Sequence, residues 1–273
     1  MTAIVEHRGL NSGRGPSPAI WADFDKADLL RPGLSNHVFD DFTNVVSDVS
    51  LYYHSNGNTW KTIEDSGSVV AQSATAGRIG ALTLTMDNTD NDEIYMQFGS
   101  ATGNLFKLDA SSGTKFWYEC RFKVSVVTDS TYDLIVGLAE EGAAAADAIT
   151  DADAYVDKDF IGFRVPAADG NGLDFFWKKS GQTEVELIAD AATLVADTYV
   201  KVGFVFDPDA PTTKRIKVYV DGVESNTYGT YTQMAAATFP SGEELTPFFA
   251  IKAASGAIRV LTLDWVRAAQ IIE

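Results

Sequence analysis

Apolar and polar positions alternate along much of this chain, most clearly between residues 199 and 222. Every second side chain from Val200 to Phe206 is large and apolar, and the same period of two returns from Ile216 to Val220. A period of two is typical of a β-strand with one buried face. Two prolines interrupt the pattern between these runs, and the Asp221-Gly222 dipeptide that follows favours a tight hairpin turn. The pattern therefore predicts two antiparallel strands.

Short alternating runs separated by turn residues recur from Phe39 to the end of the chain. About a dozen strands with breaks of hairpin length are typical of an all-β sandwich. No repeat of fixed period is visible, which argues against a propeller or a solenoid. Residues 142–156 depart from the rule because they are rich in alanine, and this composition favours one short helix or a flexible loop between strands.

The first 37 residues differ from the rest in composition and in hydrophobic pattern. Residues 8–18 are rich in glycine, proline and serine without an apolar period, so they cannot form a core of their own. Large apolar side chains follow, and they need a surface to pack on: Ile20, Trp21, Phe24, Leu29 and Leu30. Two interpretations stay open, namely packing on the chain's own sandwich or docking on a neighbouring subunit or another protein. We predict an extended N-terminal arm over residues 1–37 and a sandwich over residues 38–273.

Charge and composition exclude several classes of partner. The chain has 273 residues and a formal net charge of −17, so a nucleic acid backbone would be repelled. No run of about 18 apolar residues could cross a bilayer. The single cysteine, Cys120, alternates with aromatic residues and is expected to be a small buried side chain that forms no internal disulfide. Because the N-terminus lacks the apolar core of a signal peptide, we expect a protein made in a cytoplasm and kept there or released by lysis.

One acidic run could hold a hard cation such as Ca²⁺. Asp87–Glu93 supplies carboxylate and amide oxygens, the ligands that such ions prefer. A solvated turn explains the run better, because Asn and Asp stabilise turns. The acidic residues between 147 and 159 receive the same interpretation, and the sequence predicts no metal and no cofactor.

The hairpin resembles the signature of concanavalin A-like, laminin-G-like jelly rolls, in which a strand ending in Phe-Asp is followed by Ile-x-Val-Tyr-Val-Asp-Gly-Val. Residues 257–267 are similar to the last strand of those domains, and Phe39–Phe42 is similar to the first. The resemblance covers roughly residues 38–273. It implies an all-β jelly-roll sandwich with an extended N-terminal arm and one short helical insertion. It leaves function open, because the fold hosts lectins, glycosidases, adhesion modules and virion parts.

A glycosidase on this fold would carry two catalytic glutamates in a Glu-x-Asp-x-(x)-Glu strand. Glu184 and Glu186 share a strand face, but residue 188 is isoleucine, so the pattern fails. We therefore predict no catalytic residue and no enzyme. Among four tryptophans considered for sugar binding, Trp60 is expected to be exposed, and the other three are expected in the core: Trp117, Trp177 and Trp265.

Residues 88–140 are similar to proteins found among tailed-bacteriophage structural genes, in which this jelly roll decorates the outer capsid. The resemblance implies a virion structural protein, a decoration or cement subunit that stabilises the head. Its implied partners are the major capsid protein and further copies of itself, with a trimer as one arrangement. Its implied location is the outer capsid surface, after assembly in the host cytoplasm. The alternative is a glycan-binding receptor-recognition or fibre-head module of a virion.

Overall fold

The computed structural model describes residues 13–24, 34–49, 52–55, 57–73, 80–99, 105–111, 114–145, 148–151 and 154–272. Its regular structure is almost entirely β. The strands, in chain order, are β1 (Ser35–Asp40), β2 (Val45–Val49), β3 (Tyr52–Ser55), β4 (Asn58–Glu64), β5 (Val69–Gln72), β6 (Leu82–Thr85), β7 (Glu93–Phe98), β8 (Phe106–Lys107), β9 (Phe116–Val124), β10 (Tyr132–Glu140), β11 (Phe160–Val165), β12 (Gly172–Lys178), β13 (Val185–Thr193), β14 (Val200–Phe206), β15 (Ile216–Val220), β16 (Val223–Gly229), β17 (Glu244–Ala253) and β18 (Val260–Ile271). A four-residue helix, α1 (Tyr231–Met234), and a single 3₁₀ turn (Ala143–Ala145) complete these elements.

The strands form two antiparallel sheets. The first sheet has the order β16-β15-β14-β9-β18-β6-β5, with β1 also paired to β18. The second has the order β13-β12-β11-β10-β17-β7-β4-β3-β2, with β8 also paired to β17. Their inner faces bury one continuous apolar core, so the predicted all-β sandwich is confirmed. No helix in the described part of the chain is long and apolar enough to span a bilayer.

The predicted hairpin is confirmed. Strand β14 pairs with β15, and both keep their alternate apolar residues on the core side. The turn after β15 places Asp221 and Gly222 at φ values of 49° and 80°. The second value lies where glycine has no steric penalty. Cys120 lies on the inner face of β9 and is buried, as its alternation with aromatic residues predicts.

Trp60 is not exposed, contrary to the sequence-based prediction. Its side chain is completely buried in the core, between the two sheets. The indole Nε1 donates a hydrogen bond of 2.8 Å to the Asp40 carboxylate, which also accepts one of 2.7 Å from Ser55. A buried indole N–H usually finds such a partner, and here a distant strand supplies it. Trp177 lies in the core between the sheets, as predicted. Trp117 and Trp265 are also buried, but on the outer face of the first sheet, where residues 13–24 cover them.

The alanine-rich insertion is less helical than the composition favours. Among the residues of the insertion that the structure describes (142–145, 148–151 and 154–156), only the 3₁₀ turn at Ala143–Ala145 is regular, and an isolated bridge joins Ile149 to Tyr155. The insertion packs on the outer face of the second sheet, where Ala144 and Ile149 join a separate apolar cluster with Phe248. Because small side chains let the insertion lie close to the sheet, packing rather than helix propensity determines its path.

Candidate functional site

Three carboxylates meet at one edge of the second sheet. Asp174 lies on β12, Asp190 on the neighbouring edge strand β13, and Asp169 in the turn before β12. One oxygen of each lies within 4.8 Å of the others. The backbone N–H of Asp190 donates to Asp174 Oδ1 at 3.0 Å, which ties the two strands together at this point.

Arg164 brings two further carboxylates to the same place. It lies on β11 directly opposite Asp174, and its Nε is 3.4 Å from Asp174 Oδ2. Its Nη1 lies 2.6 Å from Glu184 Oε1, and its Nη2 lies 3.2 Å from Glu186 Oε2. We call the five acidic residues the carboxylate cluster: Asp169, Asp174, Glu184, Glu186 and Asp190. Glu184 and Glu186 therefore do lie on one side of the chain, as their spacing predicts.

The electrostatics of the cluster follow from its burial and crowding. Burial, and next the neighbouring Glu186, raise the pKa of Asp174, although the Asp190 N–H and Arg164 act against this. Burial alone would lower the pKa of Arg164, but Tyr155, Glu184 and Asp174 outweigh it and raise that pKa. Arg164 thus stays charged. Its guanidinium carbon lies 4.9 Å from the centre of the Phe176 ring.

The cluster is open to solvent on one side. The side chains of Glu184 and Glu186 are 37% and 40% exposed, whereas Arg164 beneath them is only 8% exposed. Asp190 is exposed as well. The oxygens of Asp169, Asp174 and Asp190 are also of the kind that a hard cation prefers. Sequence analysis missed the cluster because its members come from two strands, β12 and β13, and from the segments just before them, with no local motif.

Three of the five predicted arm anchors lie elsewhere, on the outer face of the first sheet. Residues 13–24, which we call the strap, cross this face, and Ile20 and Phe24 are only 1% and 5% exposed there. They pack with Trp117 of β9, while Trp21 is partly buried beside them. The sequence left two interpretations open, and in this structure Ile20 and Phe24 pack on the chain's own sandwich. Binding a partner through Ile20 or Phe24 would require the strap to detach, and that role stays a prediction.

Two of the five predicted anchors, Leu29 and Leu30, lie outside the described residues. Residues 87–92 form the turn between β6 and β7 that their composition predicts, and Glu93 begins β7. The turn is not solvated throughout, because Asp92 is buried.

No family model matches this sequence, and no curated protein matches it either. Solved structures do share its fold. An endo-β-1,4-glucuronan lyase from the fungus Trichoderma reesei matches with a TM-score of 0.52 at 13% identity, over 85% of this chain and 94% of the lyase. The β-glucanase of Bacillus licheniformis matches with a TM-score of 0.50 at 15% identity, over 89% of this chain and 100% of the glucanase. The carbohydrate recognition domain of Emp47p matches with a TM-score of 0.52 at 11% identity, over 89% of this chain and 97% of that domain.

The fold is a concanavalin A-like jelly roll. This part of the resemblance drawn from the sequence is confirmed. At 11% to 15% identity these likenesses show the fold alone. The three proteins are carbohydrate-binding or carbohydrate-cleaving, and none of them supports the likeness to phage decoration proteins.

The conclusion that this chain is not an enzyme is overturned. It was drawn from the missing Glu-x-Asp-x-(x)-Glu pattern, but the matching structures include a lyase as well as a glucanase. Proteins with this fold catalyse different reactions on carbohydrates, so the motif of one family cannot show whether another protein with the fold is an enzyme. The absence of that motif is no argument against catalysis in this jelly roll.

Proposed function

We propose that this protein binds a glycan at the carboxylate cluster. The observation that carries the proposal is the gathering of five carboxylates at the edge of the second sheet, three of them paired with Arg164 and two more beside Asp174. A site of this kind presents a few convergent polar groups on a rigid sheet, which is how ligand sites gain orientation and specificity. The carbohydrate-related proteins that share the fold add support by analogy.

The chemistry of the cluster favours a neutral glycan. Sugar hydroxyls donate hydrogen bonds, and ionised carboxylates are pure acceptors that can each take more than one. Glu184 and Glu186 offer such acceptors at the surface, while Arg164 holds their positions from below. A polymer of uronic acids would bring its own carboxylates against five others, and like charges at close range are unfavourable.

Binding can be tested with a neutral mixed-linkage β-glucan and a glucuronan as probes. We expect the chain to bind the neutral polymer in isothermal calorimetry and to leave the uronic one unbound. The double substitution Glu184→Gln with Glu186→Gln should weaken binding by about tenfold or more, because each replaces a charged acceptor by a neutral one. Glu244→Gln, at an exposed position on β17, is the matched control and should bind as the parent does.

Two results would reject this proposal. One is that neither polymer binds to the parent chain. The other is that the double variant binds the neutral polymer as tightly as the control does.

A second candidate is cleavage of the bound glycan, and one observation favours it. Burial raises the pKa of Asp174 within a group of carboxylates, and glycosidases use a carboxyl group of raised pKa as the general acid beside a second carboxylate. New reducing ends, released from the same β-glucan and lost in Asp174→Asn, would establish this activity. Unchanged polymer length after prolonged incubation with the parent chain would reject it.

The capsid-decoration role stays a prediction, and so do its partners and location. Its test is the copy number of the protein in purified virions. A cement subunit is expected in far more copies per particle than a fibre-head module, so counting separates these two virion roles. Absence of the protein from virions would reject both.

A further inference from the structure

The strap is fixed to the first sheet by directed polar contacts as well as by apolar packing. Arg14 Nη2 lies 2.7 Å from Asp264 Oδ1, and Trp265 Nε1 donates a bond of 2.6 Å to the backbone carbonyl of Arg14. Further along, Trp21 covers Arg267, whose guanidinium carbon lies 3.8 Å from the centre of the indole ring. The strap is therefore held in one register, since each contact matches one strap residue with one sheet residue.

Glu119 is the centre of this interface. It lies in the middle of β9, and its carboxylate accepts hydrogen bonds from the backbone N–H of Ser17 at 2.9 Å and from Trp21 Nε1 at 2.8 Å. Both donors belong to the strap. The carboxylate is completely buried. Glu119 thus recognises the strap by one backbone and one side-chain N–H, as a binding surface does.

The face under the strap has the composition of an exchangeable interface rather than of a permanent core. It contains the charged side chains Glu119, Arg121 and Asp264, and Asp264 is shared between Arg121 and the strap's Arg14. Detaching the strap would return these groups to water, which solvates them well. Only a small apolar cluster around Trp117 would be uncovered at the same time. Interfaces that form and separate have this mixture of polar and aromatic groups.

The chain between the strap and β1 is long enough to reach another molecule. Nine residues, 25–33, join Phe24 to Leu34. A chain of that length can extend to about 30 Å, which is the diameter of a small domain. The same contacts can then form between copies as within one copy. Exchange of an identical element is a low-cost route to a dimer for this reason.

We propose that the strap exchanges between two copies of this chain, so that residues 13–24 of one copy dock on Glu119 and Asp264 of the other. The outer face of the first sheet is then a docking site for a segment that carries an arginine and a tryptophan seven positions apart. The partner is a second copy of the same protein. This surface is separate from the carboxylate cluster, so its test does not depend on glycan binding.

Two ion pairs in the structure provide the test and its matched control. Lys115, which directly precedes β9, pairs with Asp23 of the strap. Lys123 pairs with Asp197 at 3.1 Å, and neither of these two residues belongs to the strap. The members of the two pairs have similar exposure, with 23% and 59% in the first and 26% and 70% in the second. A zero-length carbodiimide reagent can convert both pairs into amide bonds.

Light and heavy isotope-labelled chains are mixed in equal amounts, unfolded, refolded together at high concentration and then cross-linked. We expect the Lys115–Asp23 link to join light with heavy peptides in the dimer fraction, with a share that rises with protein concentration. The Lys123–Asp197 link should join peptides of one label only. If every Lys115–Asp23 link also joins peptides of one label, and the refolded protein has the mass of a monomer, the exchange does not occur and the proposal is overturned.

Discussion

Glu119 shows how a single residue acquires its properties from a segment more than ninety positions away. Its place on the outward face of β9 follows from alternation, but its burial follows from the strap that covers it. Burial raises the pKa of Glu119, and the hydrogen bonds from Ser17 and Trp21, followed by the charge of Lys201, offset part of this effect. The carboxylate is therefore both a specific partner of the strap and an electrostatic cost.

The raised pKa of Glu119 predicts a pH dependence of stability. A carboxyl whose folded pKa exceeds its unfolded value binds protons more strongly in the folded state, so stability falls as the pH rises through that window. Glu119→Gln removes this titration and keeps one oxygen acceptor. We expect the melting temperature of the variant, relative to the parent, to rise as the pH increases from about 4 to about 7. Thermal unfolding followed by circular dichroism at a series of pH values measures this difference.

Glu244→Gln serves as the control, because Glu244 lies exposed at the start of β17. Its melting temperature should follow that of the parent across the same range. A Glu119→Gln profile parallel to the parent at every pH would contradict the assignment.

Two strands of the second sheet approach each other more closely than side chains allow. Gly137 of β10 and Gly162 of β11 lie directly opposite in the register. A Cβ atom on Gly162 would lie 2.5 Å from the carbonyl oxygen of Val136 and 2.6 Å from the Cα of Gly137. Because backbone atoms form this contact, only a shift of the strands could relieve it. Strand β11 also carries Arg164 two residues later, so this pairing helps to position the candidate site.

Replacing Gly162 by alanine should therefore destabilise the fold. We expect Gly162→Ala to lower the free energy of unfolding by about 1 to 3 kcal/mol, the usual cost of forcing extra atoms into a packed region. Urea denaturation measures the change. Thr193→Ala, at an exposed position on the edge strand β13, is the control and should stay within about 0.5 kcal/mol of the parent. An equally small effect at residue 162 would show that the strands separate without cost.

At the scale of the whole molecule, the dominant electrostatic feature is an excess of negative charge. The chain carries 38 acidic and 21 basic residues, which gives the formal net charge of −17. Many of the basic side chains are already paired in the described structure, as Arg164 and Lys115 are. At neutral pH, repulsion among the excess negative charges therefore destabilises the folded state.

This repulsion predicts that salt stabilises the protein. Raising sodium chloride from about 0.01 M to about 0.5 M shortens the Debye length from about 30 Å to a few ångströms, so it screens repulsion over the whole molecule. We expect the melting temperature at pH 7 to rise with this change. Near the isoelectric point of about 4.4 the net charge vanishes, and the same addition should have little effect or the opposite one. A melting temperature at pH 7 that falls with salt would mean that local ion pairs outweigh the net charge.

The sequence by itself determined the sandwich, the β14–β15 hairpin and the burial of Cys120, because each of these follows from alternation or turn chemistry within a few neighbouring residues. It did not determine the hydrogen-bond partner of Trp60, the path of the alanine-rich insertion or the surface on which the strap packs. The sequence did not predict the carboxylate cluster either, although the spacing of two of its members, Glu184 and Glu186, places them on one face. Asp174, Asp190 and Arg164 become neighbours only through the pairing of β11, β12 and β13. Strand pairing joins residues that are distant in the chain, so only the tertiary structure could decide where these charges meet.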